Sequence, residues 1–482
     1  MFGVLYLLSQ VLGIFAFAML APVVVGLFVK DTSDAEAFLL VSGLTGFVSG
    51  AMFFALRGRR WRLSRAGACG LVLGMFVLPP LIAAVPLLMI TDVGPLAALF
   101  EAVSGFTTTG ATILPSVEAI GPAAIFWRAE LQWLGGLVTL IVLGTILAPA
   151  GVGGLTSRNI AILGPAGEGG LQRSLDAARA IASLYLATTV ICIALLVFAG
   201  IPPFDAVCLA FATVSTGGFM PIDGGVATYA SPAAELVLAV FMLVGATSIV
   251  WHRMLLQGRW TSATAHREGF YVIALAILAG ILFSVVIADL LHMPRPADAL
   301  RYGLFAGISI VSTTGFESWP HIFDFLPLAI VTLLVFVGAG TMSTAGGIKL
   351  YRFGGMFVQS MHELKRLIYP HSVRSTRFGS QPYDTELMKG IWASTIGGLA
   401  VVAIAATLLS INLPSFDGSA LAAVAAFSNI GPIYPGVSGG ELLPHYSELD
   451  AFSLIVLMTT MIIGRVETIA LLGLASIAYW RS

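Results

Sequence analysis

The stretch FATVSTGGFMP, residues 211–221, interrupts an apolar segment with a short Ser-Thr-Gly-Gly turn. Related turns recur along the chain: SGFTTTGAT at 104–112, TVSTGGF at 213–219 inside the quoted stretch, IVSTTGF at 310–316 and FSNIGP at 427–432. Each closes a short apolar run, in order GPLAALFEAVSG, PFDAVCLAFATV, ADALRYGLFAGISIV and DGSALAAVAAFS. A helix of about ten residues covers about 15 Å, half the hydrocarbon thickness of a bilayer. Such a run enters a membrane and must leave on the side from which it came. Asp205, Asp298 and Asp417 lie just before or within the first turn of three of these runs, as helix N-termini favour.

Composition says that the surroundings are a membrane. Of 482 residues 58% are apolar and only 10% charged, with a mean hydropathy of +0.95; soluble domains carry about a quarter charged residues. Spans read near 4–29, 38–56, 67–90, 122–148, 178–199, 233–251, 269–291, 325–348, 389–411 and 451–479, which makes ten crossings. The first run lacks a basic flank and is longer than a secretory signal core, so it is a retained span. One set of connections holds most of the basic residues, among them Arg57, Arg59, Arg60, Arg62, Arg158, Arg253, Lys349, Arg352, Lys365, Arg366 and Arg481. The other, helix ends included, holds only Lys30, Arg128, Arg295 and Arg301. By the positive-inside rule the first set is cytoplasmic, with both termini. The outer side is acid-rich, with Asp31, Asp205, Asp223, Asp298, Glu317, Asp417 and Asp450 among others. That is either ordinary loop solvation or a potential that gathers cations at an outer mouth. Cys69, Cys192 and Cys208 lack disulfide or zinc spacing and read as helix-packing residues.

Four segments thus share one plan of span, short run, polar turn and span. Two crossings per unit keep all four units in one orientation, so they relate by an axis along the membrane normal. Inverted-repeat transporters have the opposite arrangement. The expected fold class is an all-α polytopic membrane protein: four parallel helix–pore loop–helix repeats around a pseudo-fourfold axis, preceded by two extra transmembrane helices. Non-helical backbone at membrane depth is tolerated only inside protein or around water, which points to a shared aqueous axis. Aligning the glycines Gly110, Gly217, Gly315 and Gly431 gives each loop a tip residue free to adopt positive φ and turn carbonyls toward that axis. Thr108, Thr109, Ser215, Thr216, Thr313 and Thr314 supply small hydroxyls that pack or bond behind the backbone. A four-loop carbonyl ring is the oxygen-dipole environment that desolvated K+ needs.

These loops, with FWRAELQWLGG at 126–136, LAFATVSTGGF at 209–219, GAGTMSTAGGIK at 338–349 and IGRVET at 463–468, resemble the Trk/Ktr/HKT superfamily of K+ transport proteins, most closely the bacterial TrkH type. The resemblance covers nearly the whole chain. It divides it into two N-terminal helices at 1–66 and pore repeats at 67–150, 151–254, 255–387 and 388–482, the third with an interrupted second helix and a cytoplasmic segment. It implies potassium uptake across the bacterial inner membrane through a filter of Thr108, Thr109, Gly110, Ser215, Thr216, Gly217, Thr313, Thr314, Gly315, Asn429, Ile430 and Gly431. Relatives that prefer Na+ often carry serine at the first of those glycines, so Gly110 favours K+. The resemblance also implies a homodimer working with a TrkA-like ring of cytoplasmic RCK domains. Any nucleotide would be bound by that partner; no covalent cofactor and no nucleic acid is expected. Two features depart from the family: LVTL follows QWLGG where relatives often have another glycine-containing run, and Asn429-Ile430 make the fourth loop unlike the others.

In GAGTMSTAGGIKLYR, residues 338–352, Gly338, Gly340, Gly346 and Gly347 with Thr341, Ser343 and Thr344 weaken helix strongly. Small residues of this kind serve close helix packing; the family's intramembrane loop gives the other reading, a mobile plug beneath the filter. Arg465 is the one basic residue that falls inside an apolar span, where a charge costs at least about 2.5–3.5 kcal/mol unless it faces protein or water. It either belongs to a structural ion pair or, as the resemblance implies, acts beside the plug. The basic segment from Tyr351 to Lys389 is a positive-inside loop or a docking surface for the regulator. GVGGLT at 151 lacks the context of a nucleotide fold, the seven histidines lie at span ends or in loops, and HExxH does not occur. An enzyme is therefore not expected. The alternatives within transport are H+- or Na+-coupled K+ symport and, in another class, transport of a small organic solute.

Overall fold

The computed structural model describes residues 2–58, 65–147, 170–291, 295–368, 377–378, 381–382, 385–436 and 443–466. Expectations that rest on Arg59, Arg60, Arg62, Arg158, Glu467, Arg481 and GVGGLT at 151 lie outside the described residues. Three helices come first: α1 (Phe2–Ala18), α2 (Leu20–Val29) and α3 (Thr32–Leu56). The expected first span is broken between α1 and α2 because Pro22 has no N–H to offer the Ala18 carbonyl.

Four units follow. The first is α4 (Arg65–Ile90), the pore helix α5 (Pro95–Phe106) and α6 (Pro122–Val142); the second is α7 (Gly170–Phe198), the pore helix α8 (Pro203–Val214), α9 (Pro232–Ala246) and α10 (Ile249–Leu256). The third is α11 (Glu268–Leu290), the pore helix α12 (Pro296–Val311), α13 (Leu328–Val337) and α14 (Leu350–Ile368). The fourth is α15 (Thr385–Leu409), the pore helix α16 (Phe416–Phe427) and α17 (Ala451–Val466). A two-residue strand pair, Arg377–Phe378 with Gln381–Pro382, is the only β structure among the described residues.

The pore helices start as their sequences dictate. Pro95, Pro203 and Pro296 occupy the first turn, where no N–H is needed, Asp205, Asp298 and Asp417 sit in the first turn, and Ser415 caps α16 through the Gly418 N–H. In every unit the first helix packs on its own pore helix: α4 on α5, α7 on α8, α11 on α12 and α15 on α16. The returning helix packs on the pore helix of the next unit: α6 on α8, α9 on α12, α13 on α16, and α17 back on α5. That cyclic order closes four units into a ring about one axis.

Seven described helices, α1 with α2 counted as one, are long and apolar enough to cross a membrane, or eight if α9 and α10 form one bent span. Two expected crossings differ. The sixth, 233–251, bends by 103° between α9 and α10. There the backbone bonds that a helix would make are taken by residues 338–349: Gly340 N–H donates to Ala246 O (3.0 Å), Thr344 N–H to Gly245 O (3.2 Å) and Ile249 N–H to Met342 O (3.1 Å). The eighth, 325–348, is helical only over α13, which ends where Gly338 turns to φ +68°. The tenth extends past Val466 outside the described residues. Lys349 and Arg352, assigned to a cytoplasmic connection by the charge rule, are buried, as is Arg128. Arg465 is therefore not the one basic group inside the protein.

Candidate functional site: four loops and the segment beneath them

Each pore helix ends in the same four steps. The cap residues Thr107, Ser215, Ser312 and Ser428 carry hydroxyls, and the next residue in every loop is left-handed: Thr108 (φ 55°), Thr216 (φ 54°), Thr313 (φ 59°) and Asn429 (φ 53°). The following amide reaches back to the pore helix: Thr109 to Ser104 O, Gly217 to Ala212 O, Thr314 to Ser309 O and Ile430 to Ala425 O, at 2.7–3.0 Å. Left-handed backbone at a β-branched residue is strained, and the three threonines show that surrounding packing holds it, whereas Asn429 adopts it more readily.

This register corrects the glycine alignment. Gly217 is equivalent to Thr109, Thr314 and Ile430; the partner of Gly110 (φ 75°) and Gly315 (φ 80°) is Gly218 (φ 85°). Two neighbouring glycines in STGGF made the sequence ambiguous by one place. The requirement is also narrower than positive φ. At each of these glycines a Cβ would press on the next loop: at Gly110 on the Gly217 carbonyl, at Gly218 on the Thr314 carbonyl, at Gly315 on the Pro432 ring (3.0 Å), and at Gly431 on the Ala111 backbone. The contacts run from loop to loop around the ring and back to its start.

Among the described residues no donor reaches the carbonyls of Thr108, Thr216, Thr313 and Asn429. Thr108 Oγ1, Ser428 Oγ and Asn429 Oδ1 are buried without a hydrogen-bond partner. A buried ring of unsatisfied oxygens is costly unless something cationic or hydrated occupies its centre. The fourth loop bonds to the first, Gly431 N–H to Thr109 O (2.6 Å) and Asn429 Nδ2 to Thr109 Oγ1 (3.0 Å). Thus Asn429 also serves as the brace between the last unit and the first.

Behind the loops lie residues that motif reading did not single out. Glu101 accepts from Arg128 Nε (2.6 Å), from Thr112 Oγ1 (3.1 Å) and from the Ile113 N–H (3.0 Å), and the Arg128 guanidinium lies 4.1 Å from the centre of the Phe219 ring. Tyr446 donates to Gly431 O (2.9 Å) and Gln132 to Gly217 O (2.7 Å). A lone carboxylate within GPLAALFEAVSG was the available signal for Glu101. The LVTL departure leaves α6 helical to Val142, where a single π turn, Leu143–Leu147, follows.

Residues 338–349 fold directly under the ring. Gly346 N–H donates to Thr313 Oγ1 (2.8 Å), and Thr344 Oγ1 donates to Val214 O (3.1 Å) and Gly245 O (3.0 Å) and accepts from Thr216 Oγ1 (3.3 Å). A side chain at Gly346 would fall on the Ser428 carbonyl. Thr341 is held from α11, its N–H and Oγ1 donating to the Glu268 carboxylate at 2.7 and 2.6 Å. Ser343 Oγ donates to Gly340 O (2.6 Å), and Met342 (φ 54°), Gly347 (φ 76°) and Lys349 (φ 86°) complete an irregular path. Arg465, 4% exposed, donates from Nε to Thr107 O and from Nη1 to Thr344 O, both at 2.5 Å. Among the described residues these bonds include no carboxylate, and Glu467 lies outside them. Arg465, Lys349 and Arg352 line one chamber.

Glu317 follows loop three and accepts the Phe323 N–H (3.3 Å). Burial, with Asp324 adding to it, pushes its carboxyl up to about 7, against the N–H groups of Phe323 and His321 that favour the charge. A raised carboxylate pKa favours the folded state fully below the unfolded value near 4.5, and that contribution is lost as pH rises through about 7. Thermal stability should fall between about pH 5 and 8, by an amount on the order of 2 kcal/mol, and Glu317→Gln should flatten that slope. An equal slope in the variant would assign the change to other groups.

A family profile described as "TrkH: Cation transport protein" matches residues 81–263 and 269–480. The chain belongs to the TrkH family. It is 30% identical over 501 residues to the Trk system potassium uptake protein TrkH of Vibrio parahaemolyticus, covering 100% of this chain and 99% of that protein. With TrkH of Escherichia coli K12 it shares 29% identity, covering 97% of each. The crystal structure of the potassium transporter TrkH from Vibrio parahaemolyticus superposes with a TM-score of 0.88 at 25% identity, covering 100% of this chain and 99% of that one. The fold class read from the sequence is thus that of the TrkH family, and the chain is an integral membrane transport protein rather than an enzyme.

Proposed function

We propose that this TrkH-family chain carries K+ inward across the bacterial cytoplasmic membrane, along the axis of the four loops, with both termini in the cytoplasm. K+ is the cargo; Thr108, Thr216, Thr313 and Asn429 offer it their carbonyls, flanked by Thr109, Gly110, Ser215, Gly217, Gly218, Thr314, Gly315, Ile430 and Gly431. The observation that carries this reading is the ring of four equivalent left-handed residues whose carbonyls accept no hydrogen bond among the described residues. Residues 338–349 form the gate: the segment lies beneath the ring, bonded to loops two and three and to Arg465. Its glycines, with Met342 and Lys349 in left-handed backbone, give it an irregular path free to rearrange without unwinding a helix. A cytoplasmic ring of RCK domains that binds nucleotide, and a second copy of this chain, complete the assembly in this reading; the names of the relatives as parts of a Trk system support such partners.

The test is Rb+ or K+ flux into proteoliposomes at varied membrane potential, with Na+ and pH gradients clamped. Flux that follows the K+ electrochemical gradient alone is expected. Flux that requires an H+ or Na+ gradient would assign coupled symport instead, and flux without K+ preference would remove the filter.

A further inference from the structure

We infer that Gln132 is a positioning residue for the ion path: from α6 of the first unit it sets the direction of the Gly217 carbonyl in the second loop and, through it, the cation preference of the ring. This rests on reading the four loops as a K+ filter.

Gln132 is fully buried, and both ends of its amide are used. Nε2 donates to Gly217 O (2.7 Å), while Oε1 accepts the Phe219 N–H (3.2 Å). Because one partner accepts and the other donates, the two bonds together fix which end of the amide points where. Gly217 makes the approach possible, since a Cβ there would fall on the Gln132 amide. Gln132 is also the middle of a stripe. Arg128, Gln132 and Gly136 are four apart on one face of α6. Arg128 lies over the Phe219 ring, and Gly136 lets the helix reach Ser215, whose Cβ would be 3.0 Å from a side chain there. One helix face therefore clamps loop two from Ser215 to Phe219.

The consequence is an asymmetry. At the level of Gly217, the Thr109 carbonyl is engaged by Gly431 N–H and the Gly217 carbonyl by Gln132, while those of Thr314 and Ile430 accept nothing among the described residues. One residue earlier, none of the four carbonyls accepts a hydrogen bond among the described residues. A carbonyl engaged from behind offers less of its dipole to an ion on the axis. Gln132 keeps the Gly217 carbonyl out of competition and holds the free Thr216 carbonyl beside it in place.

Gln132→Met keeps the length and loses both bonds. In reconstituted full-length protein its K+/Na+ permeability ratio should drop about tenfold, the factor that losing one buried hydrogen bond corresponds to. Gln132→Glu supplies a finer readout. Its protonated carboxyl donates to Gly217 O and accepts from Phe219 N–H as the amide does, whereas the ionised form only accepts. Its ratio should be near wild type at acidic pH and fall at alkaline pH, with the wild-type ratio constant over the same range. If Gln132→Met fails to fold, the Glu variant carries the test. Native selectivity in the Met variant, or a pH-independent native ratio in the Glu variant, overturns the inference while leaving the filter in place. Wild-type protein without K+ preference overturns both.

Discussion

Replacing Arg465 by alanine is expected to raise K+ flux at least tenfold. The guanidinium is buried below the loops and bonded both to Thr107 O, where the first loop begins, and to Thr344 O of the 338–349 segment proposed as the gate. A cation descending from the ring meets a like charge in a medium of low dielectric. At about 8 Å and an effective dielectric constant of about 20 this costs about 2 kcal/mol, about thirtyfold in occupancy. Lys349 and Arg352 line the same chamber and keep part of that barrier. Alanine also removes the bridge between the 338–349 segment and the first loop. The measurement is Rb+ uptake at fixed potential, normalised to inserted protein. Unchanged or lower uptake with normal insertion would leave Arg465 a purely structural brace.

Gly218→Ser is expected to abolish K+ preference, bringing the K+/Na+ permeability ratio down at least tenfold. Serine at φ 85° is strained by about 1–2 kcal/mol, and its Cβ would collide with the Thr314 carbonyl of the neighbouring loop. The ring must then widen or turn a ligand away. Gly110→Ser should behave alike, since its Cβ meets the Gly217 carbonyl. Gly217→Ser reaches the ring only through Gln132. Reversal potentials under bi-ionic conditions discriminate: a native ratio in Gly218→Ser would place the filter elsewhere.

The architecture was legible because half-membrane runs ending in polar turns have few physical solutions. Four of them in parallel units leave one axis. What sequence could not resolve were features decided by tertiary contact. STGGF holds two glycines, and only the amide of Gly217 bonding to Ala212 O fixes which one faces the next loop. The bend after Ala246 looks like a continuous apolar span until the gate segment takes its hydrogen bonds. Positive φ was expected at glycine and occurs at Gly110, Gly218 and Gly315, yet a second left-handed step falls two residues earlier on Thr108, Thr216 and Thr313, where local propensity argues against it, and on Asn429, which tolerates it. Arg128 was placed at an outer helix end because its partner, Glu101, is distant in sequence and adjacent only in space.

The bond from Gly431 N–H to Thr109 O joins the last quarter of the chain to the first. During synthesis, therefore, the ring of loops cannot close until the final unit has been inserted: a nascent or prematurely terminated chain holds three loops and an open flank, without the brace that Asn429 and Arg465 supply to the first loop.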